Sequence, residues 1–188
     1  MKKIISLFSL LIFVSLSLFA QSSSEKQNIR PIKFFVALQP AVDIEPFDEF
    51  RNSFDVNILP IQLEYSLSRK WSIRLAPTAY MQFKPEFPAE ISRIGTGVTV
   101  PFHFAKKNSE EGHRGFYLGP HGALTMNRLD NFMSTTGAVE IGYYFLFNTV
   151  LSVNIGAQIG RTVQFAPESG YNILAPHRAG IFAFGIWF

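Results

Sequence analysis

Charged and imidazole side chains recur at alternating positions of predicted strands, and these are the groups that could do chemistry. Acids and bases that share a narrow interior must pair and hydrogen-bond. The first interpretation is therefore a structural polar network that fills the interior, and the second is a proton-linked or catalytic centre. The predicted network consists of Glu64, Arg74, Arg93, His121 and Glu140, and Lys33 and His103 are also predicted to face inward.

A hydrolase would need a nucleophile, a base and an acid within hydrogen-bond reach of one another. His121 lies deep in one predicted strand, and Ser134 and Glu140 lie on the next. Their spacing matches no known nucleophile motif, and we predict no catalytic residues and no enzyme.

Metal, thiol and phosphate chemistry find no support in the residue pattern. The chain has no Cys, which excludes disulfides, thiolate ligands and a lipoprotein anchor. The histidines lack the spacing of metal ligands, and Gly95-Thr96-Gly97 is not a phosphate loop. We therefore predict neither a metal site nor a cofactor. The four histidines are His103, His113, His121 and His177.

The elements that must position these groups are strands, because apolar and polar residues alternate with period two. The clearest segment runs from residue 59 to 67, and a tight turn at 68–70 leads into the next at 71–76. Similar segments follow to the end of the chain. They predict about eight strands of roughly ten residues, with an apolar outside and a polar inside. This is an all-β, transmembrane, antiparallel up-and-down β-barrel.

An even number of strands places both ends of a barrel on one side, and short turns gather there. The turns at 68–70 and 148–149, with a longer one at 105–114, are predicted on that side. Longer loops are predicted opposite, at 43–56, 83–91, 127–133 and 166–177. Aromatic residues gather beside the short turns as an interfacial ring, predicted to include Trp71, Phe102, Phe104, Phe116, Phe145, Phe147, Trp187 and Phe188.

Five prolines fall inside the predicted strands, where each removes a hydrogen-bond donor from the sheet. Pro40, Pro60 and Pro101 lie near strand ends, whereas Pro77 and Pro120 lie deeper. For the deeper pair we expect local bulges.

Residues 1–20 have the pattern of a secretory signal peptide. Lys2 and Lys3 precede an apolar run that ends before Ala20, the expected cleavage site. A membrane-spanning anchor helix is the alternative, although the run is short for a span. We assign residues 21–31 to a polar lead-in and 32–188 to the barrel.

The composition is unusual for a soluble domain. Aromatic residues make up 15% of the chain, with 20 Phe, and charged residues only 16%, against about 25% in typical soluble domains. A barrel in lipid can place these rings on its outside. The net charge of +3 is modest, two of the charges belong to the leader, and there is no basic stripe. We therefore predict no nucleic-acid partner.

The final segment, from residue 178 to 188, has one apolar face and ends on an aromatic residue. That face carries Phe184, Ile186 and Phe188. The segment resembles the last strand of bacterial outer-membrane barrels, which the resemblance identifies as the signal for the barrel-assembly machinery. With the leader, it makes the chain similar to the OmpA/OmpX-type eight-stranded barrels and to the outer-membrane β-barrel domain proteins of Bacteroidota.

The resemblance implies the outer membrane of a Gram-negative bacterium, with outer-membrane lipid, lipopolysaccharide and the assembly machinery as partners. Fold alone does not give function. We expect a non-enzymatic barrel with a structural or surface-interaction role, or a subunit of a larger envelope complex with a protein partner. A narrow pore or small-solute transporter is the alternative, and a lipid A-modifying enzyme is a second.

Aromatic residues of the first two predicted loops are candidates for contact with a partner. The other interpretation is that their rings enter the lipid interface as an aromatic belt. The rings are Phe47, Phe50, Phe54 and Phe87.

Overall fold

The computed structural model describes residues 31–44, 54–84, 87–129, 131–165 and 172–188. Within this part of the chain the regular structure is β-strand, and none of these residues forms a helix that is long and apolar enough to cross a membrane. The strands are β1 (Phe34–Leu38), β2 (Val42–Ile44), β3 (Phe54–Asn57), β4 (Ile61–Ser66), β5 (Ser72–Lys84), β6 (Phe87–Thr99), β7 (Phe102–His103), β8 (Gly115–Asn127), β9 (Phe132–Phe147), β10 (Leu151–Phe165) and β11 (Asn172–Trp187).

These eleven segments form the eight antiparallel strands of the barrel wall, and we call each such strand, with its break where it has one, a stave. β2 continues β1, β3 leads into β4, and β7 continues β6, each across a break of two or three residues. Backbone hydrogen bonds carry the pairing across the breaks. Gln39 N–H donates to Pro60 C=O over 2.8 Å, and Val100 N–H donates to Pro120 C=O over 3.0 Å.

Consecutive staves pair antiparallel, and the last stave closes on the first. β11 pairs with β1 from Phe35↔Trp187 to Leu38↔Phe184. The prediction of an all-β, closed antiparallel barrel of about eight strands is confirmed. The predicted strand length is too short, however. β9 and β11 each have 16 residues and β5 has 13. β5 and β11 continue past Pro77 and Pro176, and β9 extends over the small polar residues 134–136, where the apolar pattern weakens.

The barrel has two unlike ends. The turn end carries the connections at 67–71, 104–114 and 148–150, together with Phe188. The loop end carries the connections that include 45–53, 85–86, 130 and 166–171, which lie outside the described residues. The connection between β5 and β6 is therefore much shorter than the predicted loop at 83–91.

Apolar side chains point outward and polar ones inward. Among the described residues, 37 large hydrophobic side chains are exposed and only seven hydrophobic residues are buried, whereas 17 polar or charged residues are buried. β11 shows the alternation most simply, because every residue from Ile181 to Phe188 alternates between buried and exposed. The distribution is the inverse of that in a soluble protein, whose core is apolar.

The five prolines of the predicted strands lie in breaks of the staves or beside them. Pro40, Pro60 and Pro101 lie in the three breaks between consecutive segments. Pro77 lies on the part of β5 that passes the break between β3 and β4, since pairing there stops at Leu75 and resumes at Tyr80.

Pro120 lies on β8, opposite the break between β6 and β7. The deep prolines therefore need no bulge of their own strand, because the neighbouring stave is interrupted beside each of them.

Two predicted positions are wrong. Trp187, predicted in the outer aromatic ring, is 1% exposed inside the barrel, because neighbouring residues of a strand point to opposite faces and Phe188 takes the outer one. Lys33, predicted to face inward, is exposed just before β1 begins. The predicted leader 1–20 and most of the lead-in lie outside the described residues.

Candidate functional site

Arg74 is the centre of the polar interior. Its Nε donates to Glu64 Oε2 over 2.9 Å, and its Nη1 donates to Glu140 Oε1. The register of the sheet places Glu64 directly opposite Arg74 on the neighbouring stave. Glu140 comes from β9, on the far wall. All three residues are at most 2% exposed, so one cation bridges two carboxylates across the lumen.

Two tyrosines complete what we call the Arg74 network, namely Glu64, Arg74, Tyr117, Glu140 and Tyr144. Arg74 Nη2 donates to Tyr144 Oη over 3.0 Å, and Tyr117 Oη donates to Glu140 Oε1 over 2.9 Å. The guanidinium also lies over the Tyr117 ring, 4.9 Å from its centroid. Such saturation is required, because a buried charge that lacks partners is strongly destabilising.

The Glu64 carboxylate has further polar partners outside the Arg74 network. Ser72 Oγ donates to Glu64 Oε1 over 2.6 Å, and His103 Nε2 lies 3.4 Å from the same oxygen. His103 is wholly buried. The imidazole links the network to the rings that lie below it.

The turn end of the barrel is filled by stacked rings, which we call the aromatic plug: Phe35, His103, His113 and Trp187. The centroids of Phe35 and Trp187 are 4.8 Å apart, and those of His103 and His113 are 3.7 Å apart with nearly parallel planes. Trp187 Nε1 donates to Ser152 Oγ over 3.0 Å. Side chains fill this half of the lumen.

The segment 104–114 folds under the plug and closes it. Gly112 N–H donates to Thr149 C=O over 3.0 Å, and Lys107 N–H donates to Arg69 C=O over 3.1 Å. A Cβ at Gly112 would lie 2.2 Å from Trp187 Cδ1. Only glycine therefore lets the backbone pass so close to the indole.

Burial changes the protonation of two groups in this segment. Burial, with a smaller electrostatic contribution from the neighbouring His103, lowers the pKa of His113 to about 3, so His113 is neutral at pH 7. Burial also lowers the pKa of Lys107 to about 8, while Glu64 opposes that shift. The Lys107 ammonium lies 5.5 Å from the Trp187 ring centroid.

The described side chains leave the loop half of the lumen unfilled. A cavity of about 560 Å³ lies above the Arg74 network, which forms its floor together with His121 and Gln158. This volume falls in the range of small-molecule sites, about 300–1,000 Å³. Small and hydroxyl-bearing side chains form most of the wall, among them Ala76, Thr78, Ala123, Thr125, Ser134, Thr136 and Thr162. We call this cavity the cup.

His121 hydrogen-bonds at the floor of the cup. Its Nδ1 lies 2.9 Å from Thr99 Oγ1 and 3.9 Å from Glu140 Oε2. Gln158 Nε2 donates to Glu140 Oε2 over 2.7 Å, and Gln158 Oε1 lies 3.0 Å from His177 Nε2. Both imidazoles therefore belong to a hydrogen-bonded chain that begins at the Arg74 network.

The three candidates for a hydrolytic triad do not meet. Ser134 lines the cup, but the residue of β9 directly opposite His121 is Ala138. Four strand residues separate Ser134 from that point, about 13 Å along the strand. Within the described residues, no group of three His, Asp or Glu side chains could hold a metal ion.

Of the five residues in the predicted network, Glu64, Arg74, Glu140 and His121 lie together, and Arg93 lies elsewhere. Arg93 Nη2 lies 3.1 Å from Asp55 Oδ2, in a separate pair near the loop end. Ser92 Oγ donates to the same oxygen over 2.7 Å.

Two of the four predicted contact rings and all three residues of the predicted assembly signal lie among the described residues. Phe54 and Phe87 begin β3 and β6 and therefore belong to strands, not loops; Phe54 stacks on Phe83 with centroids 5.3 Å apart. Phe47 and Phe50 lie outside the described residues. The proposed assembly face, Phe184, Ile186 and Phe188, points outward and is exposed.

Sequence reasoning did not assign Tyr117, Tyr144, His113 or Trp187 to the site. The alternation already placed both tyrosines on the polar face, and a hydroxyl at that parity was the signal that could have identified them. His113 gave no such signal, because it lies in a turn, where side chains do not alternate between two faces.

Comparison with protein-family profiles gave no match for this chain, and comparison with curated proteins gave none at a significant level. The function is therefore argued from the geometry.

Proposed function

We propose that this protein is an integral outer-membrane barrel that neither catalyses a reaction nor conducts solutes, and that it presents its loop end to the outside as a surface for interaction. The observation that carries the proposal is the inverted distribution of side chains: 37 large hydrophobic side chains are exposed among the described residues, most of them at outward-facing strand positions. Soluble proteins rarely expose apolar patches larger than a few hundred Å², and lipid is the solvent that such a surface requires.

The closed lumen supports a non-conducting barrel. Ions that pass the cup would meet the Arg74 network and then the stacked rings of Phe35 and Trp187. A conducting path would need these buried groups to move together. The separation of Ser134 from His121 argues against the hydrolase considered from the sequence, because that serine has no base beside it to activate it.

Single-cysteine variants offer a direct test, because the chain contains no Cys. Ser134→Cys places a thiol in the cup, Ser152→Cys in the plug region and Thr149→Cys in a turn at the opposite end. Intact cells are treated with a charged thiol reagent that does not cross membranes. We expect labelling at position 134 only, and labelling at position 149 only after the outer membrane is broken.

Planar-bilayer recording of the refolded protein is the companion measurement. We expect no steady single-channel current. Steady current together with labelling at position 152 would refute the closed lumen and favour the narrow pore. Labelling at position 149 in intact cells, or a protein that remains in solution without detergent, would refute the proposed placement in the membrane.

A further inference from the structure

Two arginines interrupt the apolar outer face near the loop end. Arg161 lies on β10 and Arg178 on β11, and both are exposed. The register pairs Arg178 with Ile159 and Arg161 with Pro176. The two arginines are thus diagonal neighbours on one face, about 7–8 Å apart at their Cα atoms.

Among the described side chains of β9, β10 and β11, neither arginine has a carboxylate on its own face. Glu140 is the only acidic residue of β9, β10 and β11, and it points inward to Arg74. The outward neighbours are apolar, including Ile159, which is 68% exposed, and Leu174, which is 60% exposed. Two neighbouring guanidinium groups on an apolar face form a cationic site that an anion from outside the chain can occupy.

The height of the pair on the barrel indicates which anion. Arg161 lies ten residues from Leu151, and Arg178 lies ten residues from Phe188. A strand tilted by about 40° advances roughly 2.5 Å per residue along the barrel axis, so both lie roughly 25 Å above the turn end. The apolar band of an outer-membrane barrel has about this height, which places both side chains at the headgroups of the far leaflet.

We propose that Arg161 and Arg178 bind a phosphate group of an outer-leaflet glycolipid of the lipid A type. This inference depends on the proposed function, since it needs the barrel to be in the membrane. A guanidinium presents parallel N–H donors that match phosphate oxygens. Two such groups less than a side-chain length apart can hold one phosphate between them. Ile159, which lies on the turn-end side of Arg161, can pack against the acyl chains.

The test compares three forms of the refolded protein: wild type, R161Q/R178Q and R114Q. Arg114 is an exposed arginine beside the turn end, so R114Q removes one positive charge of the same kind at the opposite leaflet. Each form is titrated in micelles with bis-phosphorylated lipid A and with enzymatically dephosphorylated lipid A, and binding is measured by native mass spectrometry. Inorganic phosphate is added as a competitor in a separate series.

We expect wild type and R114Q to prefer the phosphorylated lipid by tenfold or more, as the loss of a charge-assisted contact predicts, and R161Q/R178Q to lose that preference. Equal binding of the dephosphorylated lipid, an equal loss in R114Q, or full displacement by millimolar inorganic phosphate would overturn the proposal. If the lipid test failed while the cysteine variants were labelled as expected, the proposed membrane placement would stand and only the proposed lipid site would be refuted.

Discussion

At the scale of single residues, the buried His113 at the turn end lowers the stability of the barrel. His113 stacks on His103 at 3.7 Å, and neither ring nitrogen of His113 has a hydrogen-bond partner in the described structure. His103, in contrast, lies beside Ser72 and Glu64. The stack therefore contains one imidazole with polar partners and one that acts as a flat packing surface.

Replacing His113 with Phe should stabilise the barrel and flatten its response to acid. The pKa of His113 in the folded chain is about 3, below its ordinary 6.5, so the unfolded state binds more protons between these values. Stability is thus lost as pH falls from about 6.5 toward 3. From pH 7 to pH 4 this loss is on the order of 3 kcal/mol, and His113→Phe should not show it. Urea unfolding in micelles at both pH values measures the difference.

His177→Phe is the matched control, because His177 lies in the open cup rather than in the plug. It should retain the acid sensitivity of the wild type. If His113→Phe lost as much stability in acid as the wild type, protonation of His113 would not be the cause.

At the scale of elements, closure depends on a short seam. β11 pairs with β10 over 15 residue pairs but with β1 over only four. Gly185 lies in that seam, where an added Cβ would be 2.1 Å from the Val36 carbonyl oxygen. The two strands can approach to pairing distance there because the position has no side chain.

Gly185→Ala should therefore weaken closure, whereas Gly180→Ala on the same strand should not. An added Cβ at Gly180 meets no atom within 4 Å. We expect Gly185→Ala to lower the free energy of unfolding by about 2 kcal/mol or more, and Gly180→Ala to change it by less than about 0.5 kcal/mol. The electrophoretic shift between folded and heat-unfolded protein across a urea series measures both. Equal effects would mean that backbone flexibility, not contact at the seam, determines the result.

Sequence patterns predicted which segments form strands more reliably than they predicted where each strand begins and ends. Alternation identified all eight staves, because side-chain parity is a local property. It did not show that Pro77 and Pro120 lie beside breaks in neighbouring staves. Whether a proline removes a needed donor depends on the strand next to it, and that strand comes from elsewhere in the chain.

At the scale of the whole molecule, the backbone and the ring of Phe188 have different roles. Its N–H donates to the Phe34 carbonyl over 2.7 Å, and its carbonyl accepts from Phe34 N–H over 2.9 Å. The ring is half exposed and lies 6.0 Å from the Phe34 ring. The backbone thus contributes to closure, and the side chain remains on the outside.

Phe188→Ala should lower the amount of folded barrel in cells severalfold, while the purified protein still refolds in micelles with a change below about 1 kcal/mol. The reason is that the proposed signal is read by the assembly machinery, whereas the ring adds little packing of its own. Phe104→Ala, which removes an equally exposed ring at the same end, is the control and should reach the membrane normally. Equal losses for both variants would remove the assembly role.

The sequence by itself determined which face of each strand is polar, and with it the barrel and its inward acids and bases, because that pattern is written in neighbouring residues. Only the tertiary structure decided that Arg74 bridges Glu64 and Glu140, that stacked rings fill one half of the lumen, and that the other half is a cup. These arrangements depend on strand register and tilt around a closed sheet. Residues as far apart as Arg74 and Glu140 meet only once the cylinder has closed.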